Sequence, residues 1–297
     1  MARDIKKLTI HCVSETTSLT ADPKNRIPWV FRGARQGIHD AVGGGLYASK
    51  LASEKGLTRW GTCSPDYAYG RANTSEFMEY AKIFAPEVEV VGETWPKLFQ
   101  PDYTENITSL LNNPPQALYS CLWGGDLVAF FDQASLYGLF DQFEAVCVNL
   151  GDYPVIQAVK SLPAGVHAGS RYHKDVPDTD ANEAFYAKLT KNSELPPTNW
   201  TWQCYTGMKF IIEALKETGG DTDAEKLAEN IAGRSMESPT GADGTVTMRE
   251  EDHTLVGYMV GYSKTLDSEP WITDFQASAW EDILFHEAEW KKRNGYA

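Results

Sequence analysis

TRWGTCSPDYAYGRANTSEFMEYAKIFAPEVEVVGE (58–93) holds one complete architectural unit. TRWGTC (58–63) is a short apolar run with strand character. Ser64, Pro65 and Asp66 break that run, and Gly70 releases the chain into a segment with apolar residues at helical spacing through about Phe84. EVEVVGE (87–93), rich in β-branched residues, is the next strand. Strand, turn, helix and strand in this order form the βαβ unit of a parallel sheet. Tyr67 and Tyr69 fall at the mouth of the strand-to-helix turn, where water would wet them. Either they patch the top of the sheet, or they face something that comes and goes.

The same alternation extends in both directions. Upstream lie KLTIHC (7–12), the extended PWVFR (28–32), and AVGGGLYASKLASEKG (41–56), a helix opened by glycines and closed at Gly56. Downstream, TENITSLLNN (104–113) is a helix with Thr104 as cap, stopped by Pro114 and Pro115. QALYSCL (116–122) and EAVCVNL (144–150) are strands. GGDLVAFFDQASLYGLF (124–140) and DYPVIQAVKSL (152–162) are helices. Residues 36–162 thus supply four strands with their covering helices, an α/β layer sandwich.

After Pro163 the pattern changes. Helical stretches at 181–192, 199–220 and 223–235 follow one another, and then GTVTMRE (244–250) and HTLVGYMVGYSK (253–264) look like strands. NWTWQCYTGMKFIIEAL carries a long apolar face, and upstream only KLTIHC and PWVFR are left to receive it. One or two strands cannot shield three amphipathic helices, so this first lobe reads as incomplete.

Composition narrows the function classes. The 297 residues, 42% hydrophobic and 23% charged, are enough for one large or two ordinary packed domains. Acidic residues outnumber basic ones by 41 to 27, and a net charge of −14 argues against nucleic acid or an anionic membrane as partner. MARDIKKLTIHC has no apolar run of about seven residues, so no signal peptide is read in this chain. No stretch approaches about eighteen apolar residues, so the chain is not read as membrane-spanning. Cys12, Cys63, Cys121, Cys147 and Cys204 are widely spaced and mostly inside apolar segments, the pattern of reduced core thiols.

Catalytic and metal motifs fail on inspection, so no catalytic residue, metal site or cofactor is assigned. HEAEW (286–290) has Trp290 where a zinc helix needs its second histidine. His167 and His173 are not at a standard ligand spacing, and GGG (43–45) lacks the spacing of a phosphate loop. No nucleophile stands with a base beside it, which speaks against a hydrolase of the same α/β class. RGAR (32–35) and KKR (291–293) read as small solvated basic clusters.

Ligands of parallel sheets lie outside the carboxyl ends of the strands. VSETTSLT, SPDYAYG and LWGGDL occupy that position, which puts Tyr69 and Trp123 on one rim of one sheet. Aromatic rings there offer flat walls to an apolar ligand and a face to an ammonium group. The bland alternative is that both rings merely cap the sheet's apolar edge. Gly124 and Gly125 open a helix whose free amides suit a carboxylate. Ser14, Glu15, Thr16 and Thr17 form a hydroxyl-rich turn that suits an amine or a carboxylate, or is an ordinary capping turn.

D-x-x-YG after a strand (Asp66 to Gly70), then EVEVVGE, then F-x-x-QA-x-x-x-GL (Phe130, Gln133, Ala134, Gly138, Leu139) make an order that resembles the type I periplasmic binding proteins. Within them it is similar to the branched-chain amino acid (Leu/Ile/Val-binding) group of ABC-transporter substrate-binding proteins, over nearly the whole chain. The resemblance implies an α/β fold of two lobes, with parallel sheets flanked by helices, closing over a small solute. It implies a first lobe from 1–34 and 164–261 and a second from 35–163 and 262–297. It implies a receptor of the periplasm in its full-length form, capturing an amino acid or related compound and delivering it to ABC permease membrane subunits. By the family's motifs, Tyr69 and Trp123 match ligand-contacting aromatics, and Ser14, Glu15 and Thr16 match the first-lobe loop that binds the charged ends of an amino acid.

Two departures stand out. Where the family carries an acid that pairs with the ligand's amine, this chain has CVNLGD (147–152), so the role falls to Asn149 or Asp152 or is absent. This leaves room for an amide, a urea-like compound or an aromatic acid. Family members also carry three βα units ahead of the strand equivalent to KLTIHC, roughly 90 residues at ~30 per unit. The alternative on the same fold is a cytosolic amide or amino-acid sensor, which an in-frame start without a leader would favour.

Overall fold

The computed structural model describes residues 2–148, 151–160 and 166–296. In chain order the elements begin α1 (Ala2–Ile5), β1 (Thr9–His11), α2 (Ser18–Ala21), β2 (Val30–Arg32), α3 (Gly37–Lys55), β3 (Arg59–Cys63), α4 (Ala68–Phe84) and β4 (Glu89–Thr94). There follow α5 (Thr104–Asn112), β5 (Ala117–Ser120), α6 (Gly124–Leu136), β6 (Ala145–Val148), α7 (Tyr153–Ala158) and β7 (Val166–Gly169). The remainder is α8 (Asp180–Thr190), α9 (Asn199–Glu217), α10 (Ala224–Ile231), β8 (Ser235–Glu237), β9 (Thr245–Met248), β10 (Leu255–Val256), β11 (Gly261–Thr265), β12 (Ile272–Ala277) and α11 (Trp280–Arg293).

The chain forms two compact units. Unit 1 comprises Met1–Gln36, Tyr172–Met259 and Leu284–Ala297; unit 2 comprises Gly37–Arg171 and Val260–Ile283.

Unit 2 is built on a seven-stranded sheet in the order β12-β11-β7-β6-β5-β3-β4. Strands β3 to β7 are parallel, whereas β11 and β12 add an antiparallel edge beyond β7, so the sheet is mixed. Period-two alternation sends successive side chains to opposite faces, and here both faces are apolar. Ala117, Tyr119, Ala145 and Cys147 face the helices α3 and α4 with Leu51, Phe77 and Ala81. Leu118, Val146, Val148 and Val166 face α5 and α6 with Ile107, Leu110, Leu127 and Phe131. Burying each large side chain of these layers contributes about 1.5–3 kcal/mol.

The glycines of α3 lie inside the helix, not at its start, because the helix begins at Gly37. A Cβ on Gly45 would come within 2.5 Å of Tyr80 Cβ and 2.9 Å of the Ala81 amide nitrogen. Only a bare backbone lets α3 and α4 approach this closely. The helix expected to run through Phe140 ends at Leu136; Gly138 then adopts a left-handed conformation (φ 66°) that starts a short 3-10 turn at Leu139.

Unit 1 has little sheet. Strands β1 and β2 pair in parallel, Ile10 opposite Phe31, and β8, β9 and β10 form a small antiparallel sheet. Helix α9 rests on β1, since a Cβ at Gly207 would meet Cys12 Sγ at 2.6 Å and Ile10 Cγ2 at 3.4 Å. Its buried face carries Trp202, Thr206, Phe210 and Ala214, while Met208 and Ile212 are exposed.

Polar groups take up much of the unit 1 interior. Arg249 bridges Glu287 (2.7 Å) and Asp252 (2.6 Å), and Lys291 reaches the same two carboxylates at 2.9 and 2.8 Å. Arg249 and Lys291 hold the Asp252 carboxyl below its ordinary range against the opposing effect of burial. HEAEW is thus a packing motif: Glu287 joins this network and Trp290 is buried. The expectation that RGAR is solvated is overturned. Arg32 and Arg35 are fully buried; Arg32 donates to the Thr16 and Thr17 carbonyls, and Arg35 donates to the Met259 carbonyl and lies over the Tyr258 ring. Within KKR, Lys291 is likewise committed to buried partners.

The run HTLVGYMVGYSK is two strands in different units. Leu255–Val256 belongs to unit 1 and Gly261–Thr265 to unit 2. The cysteines also divide: Cys63, Cys121 and Cys147 are buried, Cys12 is partly exposed, and Cys204 is exposed rather than in the core.

Candidate functional site

Adjacent parallel strands β3 and β5 end at Cys63 and Ser120, and each hands over to a helix through an aromatic residue in extended conformation. Tyr67 precedes α4 (φ −157°, ψ 177°) and Trp123 precedes α6 (φ −143°, ψ 159°). The Trp123 indole Nε1 donates to the Tyr67 hydroxyl at 3.0 Å. The Tyr67 and Tyr69 rings stand 5.8 Å apart. Both Tyr67 and Trp123 are partly buried and pack on the apolar layer that contains Tyr69. Tyr69 and Trp123 therefore share one rim, as the strand-end argument requires. Tyr69, at 8% exposure, is the floor of this cluster, and Tyr67 and Trp123 are its accessible walls.

A further ring was not found by sequence reasoning. Phe99, 69% exposed, meets the Trp123 indole edge-on at 5.9 Å. Its backbone is left-handed (φ 60°), uncommon for a bulky residue, and its amide donates to Asp126 Oδ2 at 2.9 Å. Asp126 sits in the first turn of α6, where the helix dipole favours a carboxylate. Only a lone aromatic in the polar stretch KLFQPD hinted at Phe99, and nothing in the spacing ties it to Trp123.

Gly124 and Gly125 begin α6 with open space where a side chain would stand, and Gly124 has φ 53°. The first amides of a helix have no intrahelical acceptor, so this bare corner beside the indole suits an anionic oxygen. Beneath the rim, burial pushes the hydroxyl of Tyr119 well up, while the nearby Arg171 guanidinium pulls the other way. Arg171 is itself buried and paired with Asp40 at 2.8 Å.

Asp152 follows β6 as Trp123 follows β5. It is buried and stands before α7, its carbonyl accepting from Val155 (2.9 Å) and Ile156 (3.1 Å). Asn149 lies outside the described residues.

The remaining predicted residues belong to unit 1. Ser14 is exposed, Thr16 is half-buried with its carbonyl accepting from Arg32 at 2.6 Å, and Glu15 is buried. Glu15 Oε1 accepts from Asn199 Nδ2 (3.2 Å) and Gln203 Nε2 (3.4 Å), both in the first turns of α9. These bonds anchor the turn to α9 and give its conformation a fixed base. A surface cavity of about 760 Å³ in unit 1, lined by Arg26, His253 and four glutamates, contains none of the candidate residues. Among the described residues, no group of three or more His, Cys, Asp or Glu side chains could hold a metal ion, and no helix is long and apolar enough to cross a membrane.

Comparison with known proteins agrees with this architecture. A solute-binding protein of an ABC transporter from Rhodopseudomonas palustris BisB5, in complex with 3,4-dihydroxybenzoic acid, superposes with a TM-score of 0.81 at 23% identity, over 93% of this chain and 73% of that one. An R. palustris solute-binding protein in complex with benzoate gives 0.79 at 19% identity, over 94% and 74%. An amino acid ABC-transporter substrate-binding protein from Pseudomonas fluorescens Pf-5 gives 0.74 at 19%, over 89% and 70%. No curated protein matches the sequence. The model of the family described as periplasmic binding protein matches residues 2–263. The chain belongs to the periplasmic binding protein family.

Proposed function

We propose that this protein is the solute receptor of an ABC importer, working in the periplasm, and that it captures a small organic carboxylate for delivery to the permease. Its two units are the two lobes of such a receptor. It binds and releases its solute without chemical change, so no residue is assigned a catalytic role. The observation that carries the reading is the hydrogen-bonded pair of Tyr67 and Trp123 on the carboxyl edge of the unit 2 sheet, in a chain of this family. A ring of the ligand would stack on the indole and phenol walls, and its carboxylate would meet the bare amides at Gly124 and Gly125. Tyr69 supports the walls from below, and Asp152, Ser14, Glu15 and Thr16 are the further candidates for polar contacts. Structural neighbours that hold benzoate and dihydroxybenzoate support an aromatic acid as ligand, and the amino acid neighbour supports an amino acid.

A thermal-shift screen of the purified chain against benzoate, 4-hydroxybenzoate, 3,4-dihydroxybenzoate, leucine and their amides tests the reading. A ligand at 100 times its Kd stabilises by about 2.7 kcal/mol, a clear rise in Tm. A rise with one of the acids is expected; no rise with any acid at millimolar concentration, or a rise with the amides alone, would contradict it.

A further inference from the structure

Cys12 and Cys204 differ from the other three cysteines in this chain. Cys63, Cys121 and Cys147 are buried in unit 2, where burial pushes the thiols of Cys63 and Cys121 up to about 12 and about 11. Such thiols are protonated and shielded from exchange. Cys12, just past β1, is partly exposed, and Cys204, in the second turn of α9, is exposed. Cys204 is near enough to Cys12 to add to the upward push that burial gives the Cys12 thiol. The packing fixes this juxtaposition. Gly207 lies one turn beyond Cys204 on the same face of α9, and a Cβ there would come within 2.6 Å of Cys12 Sγ. A Cβ at Gly33 would lie 3.8 Å from the same sulfur on the strand side. The Cys12 sulfur is therefore held between β2's end and α9, next to an accessible thiol.

We propose that Cys12 and Cys204 are a modification site: in the presence of a small-molecule or protein disulfide they close into a disulfide that staples β1 to α9. The Cys204 thiolate attacks one sulfur of the oxidant's disulfide, forming a mixed disulfide and releasing one thiolate. Cys12 then loses its proton to water, and its sulfur attacks Cys204 Sγ and expels the second thiolate. The two cysteine sulfurs give up two electrons, and the oxidant leaves as two thiols. Burial holds the Cys12 thiol up at about 12, so the closing step is the slower one. The two residues are far apart in sequence, so the cross-link restricts the unfolded chain strongly.

The test uses the full reduced chain, incubated with glutathione disulfide, alkylated, and then digested for peptide mass mapping under non-reducing conditions. The expected result is one linked peptide pair, Cys12 to Cys204, lighter by two hydrogens than the separate thiols. With it comes a rise of several degrees in Tm that dithiothreitol reverses. The variant Cys204→Ser, altered at an exposed position, keeps its fold and gives neither the link nor the Tm rise. Full alkylation of both cysteines after oxidation would overturn the proposal. So would glutathione carried separately on each, a link between Cys63 and Cys121, or a Tm rise that survives in Cys204→Ser.

Discussion

In unit 2, β5 and β6 send apolar side chains to both faces of a seven-stranded sheet, and helices cover each face. In unit 1, two parallel strands and a three-stranded sheet are the sheet among the described residues, and charged and polar groups share the interior with apolar ones such as Phe31, Trp202 and Phe210. Arg249, Asp252, Glu287 and Lys291 clamp the end of α11 to the β9–β10 hairpin. Glu15, Asn199 and Gln203 join the turn after β1 to α9, and Thr20 bonds Thr254 at 2.6 Å. Unit 2 gains stability from area removed from water, which tolerates small changes in charge. Unit 1 depends on buried pairs, which fail badly when one partner is lost.

The largest effect should therefore come from breaking the clamp. Arg249→Ala removes the guanidinium shared by the buried Asp252 and Glu287, and should cost about 3–5 kcal/mol of unit 1 stability. Urea unfolding followed by hydrogen exchange in β9 and α11 checks this. A loss below about 1 kcal/mol would mean that the network behaves as a surface pair.

Acid should reverse the contrast, because unit 2 buries a neutral histidine, His167. The Tyr47 hydroxyl and His167 Nδ1 share a hydrogen bond, and burial pushes the imidazole down to about 4 from 6.5. The unfolded chain takes up that proton as pH falls below about 6.5, while the folded chain refuses it until about 4. Stability is therefore unaffected above this window and falls by about 1.4 kcal/mol per pH unit within it, roughly 3 kcal/mol in all. Asp252, with its carboxyl held low, keeps its contribution to unit 1 until pH drops below about 3.8. Exchange protection of α3 and β7 should decline between pH 6.5 and 4 while β9 and α11 hold. His167→Gln should flatten that decline, and a decline of the same slope in the variant would assign it elsewhere.

Gly45→Ala probes the helix contact of unit 2. The new methyl group would press on the Tyr80 backbone, so a loss of about 1–3 kcal/mol is expected from denaturant melts. The mildest change, Tyr67→Phe, removes the acceptor of the Trp123 indole and should cost about 1 kcal/mol. A shift in indole emission would accompany it.

Much of unit 2 was legible because strands buried on both faces are short, apolar and separated by helices of regular period. The hand-over at Tyr67 and Trp123 was legible for the same reason, since strand ends are marked by SPD and by GG. What was not legible depended on packing at a distance. Periodicity cannot tell that HTLVGYMVGYSK leaves one unit at Met259 and enters the other at Val260, since Tyr258 through Tyr262 are buried throughout. Charge alone suggested that Arg32 and Arg35 are solvated, whereas nearby carbonyls draw them inside. Glycines at 43–45 suggested a helix start, and the approach of Val260 to Gly43, Phe77 to Gly44 and Tyr80 to Gly45 explains them as interior positions. Phe99 joins Trp123 through a loop whose conformation rests on a bond to Asp126, a contact with no trace in local sequence.

The central claim is that the indole of Trp123 is a wall of the solute site. Isothermal titration of the chain and of Trp123→Ala with the ligand found in the thermal-shift screen tests it most directly. The account predicts a Kd raised by roughly 10- to 100-fold, about 1–3 kcal/mol, with unfolding of unit 2 unchanged. An unchanged Kd would contradict it.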